Sequence, residues 1–163
     1  MWRLNPEYRP AGAFCDSWGM VNVQTEILIQ RPREIVAGYA SDPDNAPVWY
    51  VNIRSAQWRT PKPLAVGSRV AFTARFLGRN LDYVYEITEL VPGEKLTMRT
   101  SQGPFPMQTT YAWSDEKGAT RMSLRNTGEP SGFSALAGMV MAPMMRRAMR
   151  KDLENLKNIL EAS

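Results

Sequence analysis

The strongest constraint on this chain is a change of period. From Val21 to Gly128 apolar residues recur at every second position, in short runs set off by turn residues; beyond Gly128 that alternation does not return. The run VNVQTEILI places Val21, Val23, Thr25, Ile27 and Ile29 on one face of a first strand. Pro32 then suits a helix start, and REIVAGYA reads as a short helix. SDPDNAPVW begins another, with Asp42 as cap, Pro43 in the first position, Asp44 favouring the positive helix end, and Pro47 limiting the length. RSAQWRT, SRVAFTARFL, LDYVYEITEL, EKLTMRTS, MQTTYAWS and ATRMSLRNT follow as strands. Gly78-Arg79-Asn80, Pro92-Gly93, the loop QGPFP and the turn DEKG separate the later ones.

The segment from about 131 to 161 reads as one long helix, with Ser131 or Ser134 as candidate caps. On a helical wheel Met141, Met145, Met149, Leu153, Leu156, Ile159 and Leu160 fall on one side. Arg146, Arg147, Arg150, Lys151, Glu154, Lys157, Asn158 and Glu161 fall on the other, with Arg150–Glu154 and Lys157–Glu161 at pairing distance along the helix. Before Pro143 a second stripe of Phe133, Leu136, Val140 and Met144 makes that half apolar nearly all round, so it is buried on both sides or exposes a patch. Pro143 removes a donor and crowds the carbonyl of Met139, which predicts a kink. Five of the ten methionines lie between Gly138 and Met149, an adaptable wall for a core or a ligand. Asp152 is expected at the edge of the apolar stripe; placed inside without a partner, its pKa would rise.

One helix against one antiparallel sheet is an α+β layout, and a sheet of about six strands curves enough to take a helix in its concave side. The strand parities support this. One face carries Leu81, Tyr83, Tyr85, Ile87, Leu96, Met98, Thr100, Met107, Thr109, Tyr111, Trp113, Thr120, Met122, Leu124 and Asn126. The other carries Arg75, Asp82, Glu86, Lys95, Arg99, Arg121 and Arg125, a mixed-charge surface suited to cross-strand pairs. The inner face is therefore apolar with sparse hydroxyls and one amide. Such groups either satisfy one another or serve as the polar anchors of a small-molecule cavity.

Composition narrows the chemistry. The 163 residues suit a single domain, and they contain no histidine, which removes Ser-His-Asp, Cys-His and histidine–zinc sites from this chain. The single cysteine, Cys15, cannot close an internal disulfide, and leans the reading toward the cytosol. The net charge of +4 reads as a solvated basic surface, since its charges form no tail and no aromatics interleave the strand arginines to stack bases. The first twenty residues hold no apolar run of signal-peptide type, and no segment approaches the ~18 apolar residues of a membrane span. A cytoplasmic protein without nucleic-acid or integral-membrane association is expected, with a homodimer left open.

The order of these features resembles the START-like, or SRPBCC, superfamily, and within it the polyketide cyclase/dehydrase and lipid-transport group. The resemblance rests on RPREIVAGYASDPDNAPVWYVNI, LAVGSRVAF, YEITELVPGEKLTMRT and MRRAMRKDLENLKNILEA, and spans about 20 to 161. It implies a helix-grip fold: a curved antiparallel sheet of about seven strands wrapped round the C-terminal helix, with a cavity between them. Residues 1–19, with Trp2, Tyr8, Phe14 and Trp18, read as an extension ahead of a helix-grip domain at 20–163, either a flap or an extra edge strand.

The leading reading is a binder of a small hydrophobic or aromatic molecule, lipid or polyketide-like, without cofactor, metal or catalysis. Its expected ligand-lining residues are Trp49, Tyr83, Tyr85, Met98, Thr109, Tyr111, Trp113, Met141, Met145 and Met149. The alternative is a cyclase or dehydratase, for which Tyr83, Tyr85, Tyr111 and Asp152 are the only nearby acid–base candidates. A third reading is a co-chaperone-like interaction module using a patch around Phe133, Leu136 and Val140.

Overall fold

Strict alternation over VNVQTEILI forms the first strand, β1 (Val21–Ile29), with Val21, Val23, Thr25 and Ile29 buried. The computed structural model describes residues 20–76, 78–103, 105–128 and 135–163, with backbone alone over 135–139. Helix α1 (Arg33–Ser41) follows Pro32, and a 3₁₀ turn (Pro43–Asn45) leads into α2 (Ala46–Trp49). The Asp42 carboxylate caps that turn by accepting from the Asp44 amide at 3.0 Å. The remaining strands are β2 (Ile53–Trp58), β3 (Arg69–Phe76), β4 (Arg79–Val91), β5 (Lys95–Gln102), β6 (Met107–Glu116) and β7 (Ala119–Gly128), and helix α3 (Ala135–Glu161) closes the chain. The expected helix start and its two serine caps lie outside the described residues. The helix continues through Pro143.

The sheet has seven antiparallel strands in the order β1-β7-β6-β5-β4-β3-β2, the helix-grip arrangement. Hairpins make every neighbour except β1 and β7, which run in register from Val21↔Gly128 to Ile29↔Thr120. A two-residue reversal joins β6 to β7: Lys117 and Gly118 both hold positive φ, at 51° and 84°, as the common primed hairpin turn requires. At Pro92–Gly93 the Glu94 amide closes on the Val91 carbonyl at 3.0 Å, with Gly93 at φ 75°. Two register shifts in the β4–β5 ladder, at Val84/Tyr85 and Ile87/Glu89, bend the longest strand and carry Leu90 opposite Leu96. Such bulges add curl to the sheet, and the curl makes its inner face concave.

Helix α3 packs against β1 and touches α2. Its C-terminal half sinks Leu153, Leu156 and Leu160 into a core with Val23, Ile29, Val36, Trp113, Met122 and Leu124. Polar ties fix that half: Lys157 donates to the Leu28 carbonyl at 2.8 Å and pairs with Glu161 at 3.5 Å, whose carboxylate accepts from the Gln30 amide at 2.7 Å. Arg150 and Glu154, the other expected pair, stay exposed and form no ion pair with each other or with another of the described residues. Asn155 donates to the carbonyls of Val48 and Trp49 at 3.1 and 3.0 Å, closing the C-terminal end of α2. Seated at the β1 side, the helix packs less closely over β3 to β5, and among the described residues an open space remains between them.

Candidate functional site

That unfilled space is a cavity of about 640 Å³, partly open to solvent and lined from every surrounding element. This volume lies within the ~300–1,000 Å³ usual for small-molecule sites. The sheet contributes Val70, Phe72, Tyr83, Tyr85, Ile87, Leu96, Met98, Met107, Thr109, Tyr111 and Asn126. Helix α3 contributes Met141, Met144, Met145, Ala148, Met149 and Asp152, and the segment around α2 contributes Ala46, Tyr50 and Ile53. Aromatic rings meet edge-on along one wall, Phe72 to Tyr85 at 5.9 Å and Tyr83 to Phe105 at 6.2 Å.

Two clusters of polar groups lie in this lining, besides Ser41, Asp42, Asn52, Arg75 and Arg79. Thr109 donates to the Asn126 side-chain oxygen at 2.7 Å, and Tyr85 stands beside it. Burial pushes the Tyr85 phenol up to about 12, with hydrogen bonding by Thr109 pulling weakly the other way. In the second cluster the hydroxyls of Tyr50 and Tyr111 lie 2.5 Å apart. Burial holds both phenols well above the ordinary value, so both keep their protons at neutral pH; Tyr111 reinforces the effect at Tyr50, the hydrogen bond with Tyr50 offsets part of it at Tyr111, and the charge of Asp152 raises both. Asp152 stands at this end of the cavity, only 4% exposed, and its Oδ1 accepts from the Val51 amide at 2.8 Å. Burial raises its carboxyl to about 6, the backbone hydrogen bond offsetting part of the effect.

The structure brings Tyr83, Tyr85, Met98, Thr109, Tyr111, Met141, Met145 and Met149 to the cavity, and leaves Trp49 and Trp113 out of it. Trp49 is fully buried behind Tyr50, its ring 3.8 Å from that of Tyr50 and 6.0 Å from Tyr111. Trp113 lies one step further along the Tyr111 face, beyond the cavity, where the core closes; the rings meet at 5.9 Å. Both indoles back the tyrosines rather than face the space. Asp152 is not at the edge of the helix stripe but buried at the site. Arg75, assigned by parity to the wet face, reaches the cavity rim together with Arg79.

Tyr50 carries no sequence signal of its own. It follows the last residue of α2, where the backbone swings to φ −75° and ψ 128° and aims the ring inward. A tyrosine immediately after a proline-limited helix is the one available hint. Of the second apolar stripe, Val140 and Met144 are exposed, at 60% and 39%, while Phe133 and the side chain of Leu136 lie outside the described residues. Among the described residues no three acids or thiols stand together as a metal site, and no helix is long and apolar enough to cross a membrane.

The fold has counterparts. TTHA0849 from Thermus thermophilus matches at 20% identity and a TM-score of 0.76, over 86% of this chain and 97% of that one. The Zhui aromatase/cyclase from a Streptomyces species matches at 14% identity and 0.72, over 87% and 94%. The major latex-like protein 151 of Panax ginseng matches at 11% and 0.67, over 86% and 97% in one crystal form. At these identities the likeness is one of fold. No curated protein matches the chain by sequence. The family model for polyketide cyclase/dehydrase and lipid transport matches residues 20–161, nearly the whole described chain. A curled seven-stranded sheet gripping a C-terminal helix, matched end to end by that model, places the chain in the polyketide cyclase/dehydrase and lipid-transport family of the SRPBCC superfamily.

Proposed function

We propose that this protein binds a small hydrophobic or aromatic molecule, lipid or polyketide-like, between the sheet and α3, and carries it without transforming it. The observation that supports this most directly is the cavity itself: about 640 Å³ walled by methionines and aromatic rings, with a few buried hydroxyls. A packed core does not leave such a space, because close-packed interiors hold few voids larger than a water. Methionine supplies a wall that adapts to ligand shape. On this reading residues 20–163 are the ligand-binding domain, residues 1–19 are an extension ahead of it, and the protein works in the cytoplasm. Native mass spectrometry of freshly purified protein, followed by organic extraction, tests it. The expected result is a co-purifying apolar molecule, displaced by a fluorescent lipid or naphthalene probe. A protein that is empty and binds neither class of probe would sink the proposal.

A second reading is favoured by Asp152 beside the tyrosine pair: a carboxyl titrating near 6 and phenols that stay protonated are an acid–base set without histidine. Under it the cavity folds a reactive poly-β-carbonyl chain into one shape and assists its cyclisation or dehydration. Incubation with such a chain decides the matter. A product mixture identical to the spontaneous one removes the enzyme reading and leaves the carrier.

A further inference from the structure

The inner end of the cavity has an imbalance of hydrogen-bonding capacity. Tyr50 and Tyr111 each own one hydroxyl proton, and their mutual contact at 2.5 Å uses one of the two. The second proton has no acceptor among the described residues. Asp152 shows the converse. Its Oδ1 is taken by the Val51 amide, while Oδ2 accepts nothing from the described residues. No cation is paired with this carboxylate either, since every ion pair of the described residues involves other acids. Tyr50 and Val51 are consecutive, so the tyrosine pair and the carboxylate are brought to one place, and the charge of Asp152 is felt at both phenols. This end of the cavity therefore offers one directed donor and one charged acceptor, apart from the Thr109–Asn126 pair and the rim arginines.

We propose that Tyr50, Tyr111 and Asp152 form a hydroxyl-recognition site, selecting ligands whose inner end carries an alcohol or phenol that accepts from the tyrosine pair and donates to Asp152. An ether or ketone accepts but cannot donate, and leaves the carboxylate unmatched. A carboxylate end also only accepts, and meets a like charge. Burying a charged acceptor without its donor carries a large penalty, so a site built this way discriminates strongly against analogues that lack the donor. The inference rests on the carrier reading, because it gives that cavity's ligand a chemical identity.

The test compares β-naphthol with its methyl ether, two fluorescent compounds of nearly one shape that differ by a single proton donor, titrated into the full chain at neutral pH. The wild type is expected to prefer the naphthol by roughly 10- to 100-fold. Asp152→Asn keeps an oxygen for the Val51 amide but turns the other position into a donor, so it should abolish or reverse the preference. Tyr111→Phe alters only the accepting interaction, which both compounds make, so it should change the two affinities to a similar degree and leave most of the preference in place, and thermal melts report whether each variant is folded. Equal affinity of the wild type for both compounds, or a preference unchanged in folded Asp152→Asn, overturns the inference and leaves the carrier reading standing. Binding of neither compound overturns the inference, and overturns the carrier reading as well only where the protein is empty as purified and a fluorescent lipid also fails to bind.

Discussion

At the scale of single residues, Asp152 has the clearest consequences for stability. Its folded-state pKa of about 6 lies above the ordinary 3.8, so between those values the native state keeps a proton that the unfolded chain has released. Its contribution is therefore fully present below about pH 4 and is lost as pH rises through about 6. The exposed carboxylates of Asp44, Glu89 and Glu116, held low by hydrogen bonds from Lys62, Lys95 and Arg121, act in the opposite sense. The difference between wild type and Asp152→Asn isolates the buried group. Urea denaturation across this range should show the wild type losing on the order of 2–3 kcal/mol relative to the variant as pH rises. A difference that stays flat with pH would contradict the burial of this carboxyl. None of this was readable from the helical wheel, which gives only an angle about the axis. Whether Asp152 meets water or the Val51 amide depends on where a segment a hundred residues earlier comes to rest. Tyr50 escaped for a similar reason, its direction being set by the end of α2 and not by any period.

At the scale of elements, α3 divides into a structural half and a lining half. Leu156 is fully buried among β1 and the core, whereas Met145 faces the cavity half-exposed. Leu156→Ala should cost about 2–5 kcal/mol in chemical denaturation. Met145→Ala should cost under about 1 kcal/mol, since it enlarges an existing space, yet change probe affinity several-fold. If both substitutions cost the same stability, the cavity is filled by core packing in solution. The division was visible in part: the stripe Met141–Met145–Met149–Leu153–Leu156–Leu160 follows from spacing alone. The place where methionine wall gives way to leucine core depends on how the helix sits against β1. The strands were legible because alternation and turn chemistry agree at each hairpin. The irregularities of the β4–β5 ladder were not, because a single extra residue, Thr88 in β4 or Ser101 in β5, leaves the apolar pattern nearly intact while reversing which parity faces in.

At the scale of the whole molecule, the fold keeps a cavity of about 640 Å³ beside its inner face, and on the carrier reading a ligand supplies the missing contact area. Ligand at about 100 times its Kd should add about 2.7 kcal/mol, which raises the Tm of a chain this size by about 5–10 °C in a thermal melt. A ligand that binds without moving the Tm would bind outside the cavity. The α+β layout followed from the order of elements, and the helix-grip topology from the family resemblance; the pairing of β1 with β7 is a long-range contact with no local signature. One turn of α3 then sets how freely such a protein can diverge. Asn155 caps the end of α2 through Val48 and Trp49, and Asp152 holds the next amide while presenting its second oxygen to the cavity. The methionine wall can drift to suit new cargo at little cost to folding. Position 152 cannot drift so freely: any replacement must still receive the Val51 amide, so in a lineage under selection for new ligands the polar end of the site should change last.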